Sequence, residues 1–225
     1  MKPWISQFSF VLASASPRRR DLVKLLNIPF EITASGVDET LGPGETTPAL
    51  VARLSRAKAA AAQTLEPDAT IVAADTDVEL DGTILGKPRD TDEARAMLLA
   101  LRGRAHSVYG GMTVTHRAYQ ETRVVHSRVW MREYSEAEID AYLATGDALD
   151  KAAAYGIQHP VFQPVAHIEG CFANVMGLAL CHLHNLLAHH GSLPPPDIEC
   201  HLHPEHDCTV VRLLSARENA AISLR

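Results

Sequence analysis

Apolar positions run along this chain in two rhythms: short continuous stretches, and longer segments in which they recur every three to four residues. The first rhythm predicts buried strands, the second helices with one inward face. Phe8-Ser9-Phe10-Val11-Leu12-Ala13 reads as a strand, followed by a helix over 17–26 with Ser16 as N-cap and Pro17 in its first turn. Leu50, Val51 and Leu54 at helical spacing in an Ala-rich stretch predict a second helix over 48–65. Ile71-Val72-Ala73-Ala74 reads as a buried strand that ends at Asp75. Val78-Glu79-Leu80, an Asp81-Gly82 turn and Ile84-Leu85 then read as a hairpin. A helix over 92–101 stops at Gly103, and strands are expected over 106–114 and 124–131. Ser135 and Glu138 form a capping box for a helix that runs to Ala144 and ends at Gly146. Residues 173–187 read as a strand-like start with a helical end. Strands alternating with helices make this an α/β domain.

Composition narrows the picture. At 225 residues, 46% hydrophobic and 21% charged, the chain can bury a sizeable core. A net charge of −6 argues against nucleic acid as the main partner, because phosphate backbones attract basic proteins. No apolar run approaches the ~20 residues that span a bilayer, so no membrane partner is expected. Ser6, Gln7 and Ser9 interrupt the N-terminal apolar stretch, which therefore reads as a strand rather than a signal peptide. The expected location is cytoplasmic, with the four late cysteines as reduced thiols or metal ligands. Pro194-Pro195-Pro196 marks a stiff spacer, so the catalytic domain is placed at 1–190 and an appendage at 191–225. Cys200, His203, His206 and Cys208 in that appendage are zinc-type ligands, with His201 as a fifth. Their spacing matches no standard finger, and a polar tail is the favoured reading.

Three constellations carry chemistry. Ser14-Ala15-Ser16-Pro17-Arg18-Arg19-Arg20 puts three guanidinium groups at the start of a helix. Cations there oppose the helix dipole by ~0.3–1 kcal/mol each, unless a bound anion reverses the sign. The bland alternative turns these arginines outward to neighbours such as Asp21. Asp75, emerging from an apolar strand, suits a general base or a metal ligand. Asp77 and Glu79 share its strand face and are read as solvated. Lys87, in Gly86-Lys87-Pro88, is presented from a stiff loop. Glu39 and Lys58 carry no such signal.

Together these pieces resemble the Maf family of nucleotide pyrophosphatases. The matching stretches are Ser14-Ala15-Ser16-Pro17-Arg18-Arg19, Val37-Asp38-Glu39, Ala57-Lys58-Ala59, Ala74-Asp75-Thr76 and Leu85-Gly86-Lys87-Pro88-Arg89-Asp90. They continue with Gly103-Arg104-Ala105-His106, Leu149-Asp150-Lys151-Ala152, Ala154-Tyr155-Gly156-Ile157-Gln158 and Asn174-Val175-Met176-Gly177-Leu178, in order across residues 9–187. The resemblance implies a mixed central sheet flanked by helices, in two lobes with a deep cleft, of the kind also found in inosine triphosphatases. It implies Asp75 as proton acceptor. Ser14, Arg18, Arg19, Glu39, Lys58 and Lys87 then line a phosphate and metal site, with Glu39 and Asp75 as the metal ligands. Arg18, Thr76 and Gln158 fall at positions linked to substrate choice. The implied reaction is hydrolysis of dTTP or UTP, or of a modified pyrimidine triphosphate, to the monophosphate and pyrophosphate with Mg2+ or Mn2+. A pyrophosphatase for methylated GTP or another non-standard nucleotide, and a nucleotide-binding regulator of cell division that does not hydrolyse, are the alternatives. The substrate is thus a nucleoside triphosphate, and a homodimer is left open. Asp77, Gly110, Ala153, His159-Pro160 and Ala179 depart from the family's usual pattern.

Overall fold

The computed structural model describes residues 9–34 and 36–192. A seven-stranded mixed sheet forms its centre, in the order β2-β1-β3-β5-β6-β7, with β4 also paired to β3. β1 (Phe10–Ala13) runs parallel to both β2 (Glu31–Ile32) and β3 (Thr70–Leu80). β4 (Thr83–Leu85), β5 (Ala105–His116), β6 (Tyr119–Met131) and β7 (Val165–Glu169) extend it antiparallel.

Helices cover the sheet because each presents one apolar stripe to one sheet face. Leu22 and Val23 of α1 (Pro17–Lys24) bury with Leu12, Val72 and Ala74, joined by α5 (Phe172–Met176) and α6 (Leu180–His189). Leu98 of α3 (Thr91–Leu101) and Ile139 and Tyr142 of α4 (Glu136–Leu143) bury with Val78, Leu80 and Val108. Since side chains alternate along a strand, Val72, Ala74, Val78 and Leu80 share one face, and the two clusters lie along it with Thr76 between them. The opposite face carries Ile71 and Ala73, which pack on Ala59 and Ala62 of α2 (Thr47–Leu65).

Two features of this sheet create a site. β5 occupies one edge of β3 from Ile71 to Glu79, so β1 and β4 must share the other edge. β1 stops opposite Ala73 and β4 ends with Leu85 opposite Val78, which leaves residues 74–77 with no strand on that side. The second feature is the pair Gly110-Gly111 on β5, in register with Thr76 and Asp75. A Cβ on Gly111 would lie 2.2 Å from the backbone oxygen of Val51, and one on Gly110 would lie 2.0 Å from Asn174 Oδ1. Their absence lets α2 and α5 close directly onto the sheet from opposite faces. Gly110, a departure from the family pattern, is explained by Asn174, which fills its space and donates to Ser127 Oγ at 3.1 Å.

Several sequence expectations need correction. Asp75 is not at the end of a strand: β3 continues unbroken to Leu80. Residues 173–187 begin with helix α5 rather than a strand, since Cys171 and Gly177 bound one short turn, and the preceding strand is β7, which the pattern did not reveal. A short apolar run does not distinguish a strand from one helical turn. β5 and β6 are longer than expected and joined by two residues, Arg117 and Ala118, a turn without the usual Asn-Gly signal. The first helix ends at Lys24 rather than at Leu26. The caps at Ser16, accepting from Arg19 N, and at Ser135, with its Glu138 box, are as expected. All of the 191–225 appendage but Gly191 and Ser192 lies outside the described residues, Cys200, His203, His206 and Cys208 included.

Gly111→Ala should lower stability by about 1–3 kcal/mol in urea unfolding, because a backbone oxygen cannot swing aside. Gly86→Ala, with nothing within 4 Å of the added carbon, should stay within about 0.5 kcal/mol of wild type.

Candidate active site

A pocket of about 740 Å³ opens where β3 lacks a neighbour, a volume suited to a small ligand. Ser14, Arg18, Arg19, Glu39, Lys58, Asp75, Thr76, Lys87 and Gln158 all line it. Every catalytic, substrate and metal position expected within the domain therefore faces one cavity, although the outermost two, Ser14 and Gln158, are far apart in sequence.

On the α2 face, Lys58 is buried and its Nζ lies 2.5 Å from Asp75 Oδ1 and 2.6 Å from Glu39 Oε1. One ammonium thus links a buried carboxylate on β3 with an exposed one on the loop before α2. Burial pushes the Glu39 carboxyl up, but the Lys58 hydrogen bond and charge, helped by Lys87, bring it below the usual range. Asp75 Oδ2 makes no hydrogen bond among the described residues. Lys87 is exposed and makes no ion pair among them.

On the opposite face, Arg19 turns inward. Its Nε donates to the Gly177 oxygen at 2.8 Å, its Nη1 to Ser14 Oγ at 3.3 Å and its Nη2 to Thr76 Oγ1 at 3.1 Å. Thr76 Oγ1 itself donates to the Gly177 oxygen at 3.1 Å. Three of the five guanidinium hydrogens are used, leaving two for a ligand. Burial lowers the Arg19 pKa, and Asp75 opposes that shift. Arg18 takes another direction: its Nη1 lies 3.1 Å from Asp150 Oδ2 and its Nη2 donates to the Asp150 main-chain oxygen at 3.3 Å. The outward alternative fails for its named partner, since Asp21 pairs with Lys24. Arg20 is not among the lining residues.

Sequence reasoning gave no individual role to four polar residues of the lining, Asp77, Asp150, Lys151 and Tyr155, although the last three lie in stretches that match the family. Asp77 was read as solvated, yet it faces the pocket, because the β3 edge is open there. Glu79, read likewise, accepts from the hydroxyl of buried Thr47 at the start of α2. Asp150 and Lys151 carry no local signal, because their partners are remote. Tyr155, also on the wall, is held by His106, whose Nε2 lies 2.8 Å from the hydroxyl; burial lowers that imidazole to about 4.

The charge balance of the lining decides what it accepts. Arg18, Arg19, Lys58, Lys87 and Lys151 face Glu39, Asp75, Asp77 and Asp150, five cations against four carboxylates. That surplus of one favours an anion, but does not neutralise a triphosphate. Among the described residues no group of three or more His, Cys, Asp or Glu side chains is placed to hold a metal. Two do converge, however: Glu39 and Asp75 meet at the same Lys58 nitrogen. Mg2+ is usually bound by one or two carboxylates together with substrate phosphates, and this pair fits that need.

Burial, then the charges of Asp75 and Glu39, push the Asp77 carboxyl up to about 6 from 3.8. The folded state therefore binds this proton more tightly than the unfolded chain. Stability from this residue is retained below about pH 4 and lost as pH rises through about 6. Asp77→Asn should accordingly stabilise the protein by about 1–2 kcal/mol at pH 8, after allowance for solvent screening. Urea unfolding in chelator should show that gain disappearing below about pH 4, and a pH-independent gain would contradict the assignment.

The family described as "Maf-like protein" matches residues 9–190. A dTTP/UTP pyrophosphatase of Myxococcus xanthus is 47% identical over 190 residues, which cover 84% of this chain and 96% of that protein. One of the same name from Pelotomaculum thermopropionicum is 45% identical over 184 residues, 80% of this chain and 96% of that protein. Among solved structures, the Staphylococcus aureus Ham1 protein aligns over 95% of this chain and 99% of its own, at 15% identity and a TM-score of 0.44. No helix among the described residues is long and apolar enough to cross a membrane. The chain belongs to the Maf family.

Proposed function

We propose that this protein hydrolyses dTTP and UTP to the nucleoside monophosphate and pyrophosphate. The observation that carries the reading is Lys58 bridging Glu39 and Asp75 beside the N-terminus of α1, in a pocket that also holds Arg19 and Lys87. The names of the relatives support the choice of base.

The triphosphate lies with its phosphates at the N-terminus of α1, where Pro17 has no N–H and Arg19 N is capped by Ser16, leaving Arg18 N for an oxygen. The two unused hydrogens of Arg19, the third hydrogen of Lys58 and the exposed Lys87 reach its oxygens. Asp75 Oδ1 is held by Lys58, and Oδ2 accepts a proton from water as the water oxygen bonds to the α-phosphorus. The bond from that phosphorus to the bridging oxygen breaks, and pyrophosphate leaves with the electron pair. Glu39 and Asp75 would hold Mg2+ or Mn2+, which supplies the positive charge that the lining lacks. Thr76 and Arg19, tied together through the Gly177 oxygen, fix the wall opposite Lys58. A regulator that only senses nucleotides has no use for a buried base with a free oxygen, and so the enzyme reading is preferred.

Steady-state pyrophosphate release with a panel of dTTP, UTP, dCTP, GTP and methylated GTP at equal concentration tests the proposal. dTTP and UTP should turn over fastest, and nucleotide binding without release would favour the regulator. Asp75→Asn should lower kcat by ~10²–10⁴-fold while the unfolding midpoint stays near wild type. Chelation should abolish release yet shift stability by less than about 0.5 kcal/mol, because no described metal cluster supports the fold.

A further inference from the structure

We propose that Lys151 and Asp150 are positioning residues that set nucleobase choice by fixing Arg18 and the wall segment that carries Gln158. The proposal rests on the pyrimidine triphosphatase reading above and extends it to residues outside the catalytic cluster.

Lys151 is only 5% exposed, and a lysine this buried is rare unless fully paired. Its Nζ donates to the Asp147 main-chain oxygen at 2.5 Å, to Asp147 Oδ1 at 2.7 Å and to Asp150 Oδ1 at 2.7 Å. All three ammonium hydrogens are used, so Lys151 has none left for a phosphate. Asp147 Oδ2 accepts from the Tyr142 hydroxyl at 3.1 Å, and that hydroxyl accepts from Gly156 N at 3.2 Å. At the other end, Asp150 takes two bonds from Arg18. One network therefore runs from the first turn of α1, through Asp150 and Lys151, to a point two residues before Gln158.

The wall it holds has the character of a base site. Ala152, Tyr155, Ile157 and Gln158 offer apolar surface and one amide, and the neighbouring Lys151 has no hydrogen left for a phosphate. Ala153 and Ala154 take left-handed φ values of 56° and 60°, which alanine adopts only when its surroundings impose it. Ala153 N donates to the Gly86 oxygen at 3.0 Å, joining this wall to the loop of Lys87.

Arg18 keeps three hydrogens beyond those given to Asp150. A guanidinium only donates. Fixed in direction, it donates to a carbonyl oxygen of uracil or thymine and meets the exocyclic amine of cytosine with two donors facing each other. A site built to hydrogen-bond one group rejects an analogue that leaves its polar groups unpaired. Freed from Asp150, Arg18 samples other directions and loses that selection.

The test is the ratio of kcat/KM for dTTP over dCTP, measured with Mg2+ on the full chain. Asp150→Asn should raise KM for dTTP about tenfold and shrink the ratio about tenfold, with the loss falling mainly on KM. Asp150→Glu should recover part of the ratio, and Lys151→Met should move it in the same direction as Asp150→Asn. Should Lys151→Met fail to fold, the Asp150 pair carries the test, since that carboxylate is largely solvent-facing. An unchanged ratio, with both nucleotides slowed alike, overturns the proposal and leaves the network a purely structural one. Wild-type protein that releases pyrophosphate from neither nucleotide sinks the parent reading, a failure visible before any variant is made.

Discussion

Everything in this molecule turns on bringing one ammonium group within hydrogen-bond distance of a buried carboxylate. Lys58 rides on α2 and Asp75 on β3, and both are nine-tenths or more buried. An unpaired charge at such a depth is costly, and a pair is retained only with good geometry. The geometry comes from Gly111, which sits beside Asp75 and lets α2 rest on the sheet with no side chain between. The buried charges of the candidate site and the packing of α2, the longest helix among the described residues, are therefore one requirement.

The same requirement explains why the pocket lies where it does. β1 and β4 both need the free edge of β3, and the stretch between them is where that edge has no strand and faces the pocket. Asp75 then points toward α2, and Thr76 points toward α1 and α5. A polyphosphate entering from that edge meets the start of α1 on one side and Lys58 on the other. The lining is nearly balanced in charge, which keeps a cluster of cations tolerable without ligand.

Legibility from sequence followed the range of the interaction. Ser16 with Pro17, and Ser135 with Glu138, are caps decided within four residues, and both were readable. Asp75 was readable as an acid in an apolar strand, although its strand was thought to stop there. Asp77 was misread because alternation alone does not tell an open sheet edge from a covered one. Glu39 and Lys58 offered no local pattern and came only through the family resemblance. Arg18 and Asp150 are 132 residues apart, and nothing near either residue announces the other. The start of 173–187 was misread because a short, largely apolar run such as Phe172–Met176 fits one helical turn or one short strand equally well, and β7, with His167 and Glu169 in it, gave no apolar run to find.

The claim that Lys58 and Asp75 act as a single unit can be measured directly with a double-mutant cycle. Turnover of dTTP would be compared among wild type, Lys58→Met, Asp75→Asn and the double variant at saturating nucleotide and metal. Residues that work as one unit lose function once, so the double variant should be no slower than the slower single variant, within about threefold. Losses that multiply across the two substitutions would mean that the two groups contribute independently, and that the bridge seen between them is not what the chemistry uses.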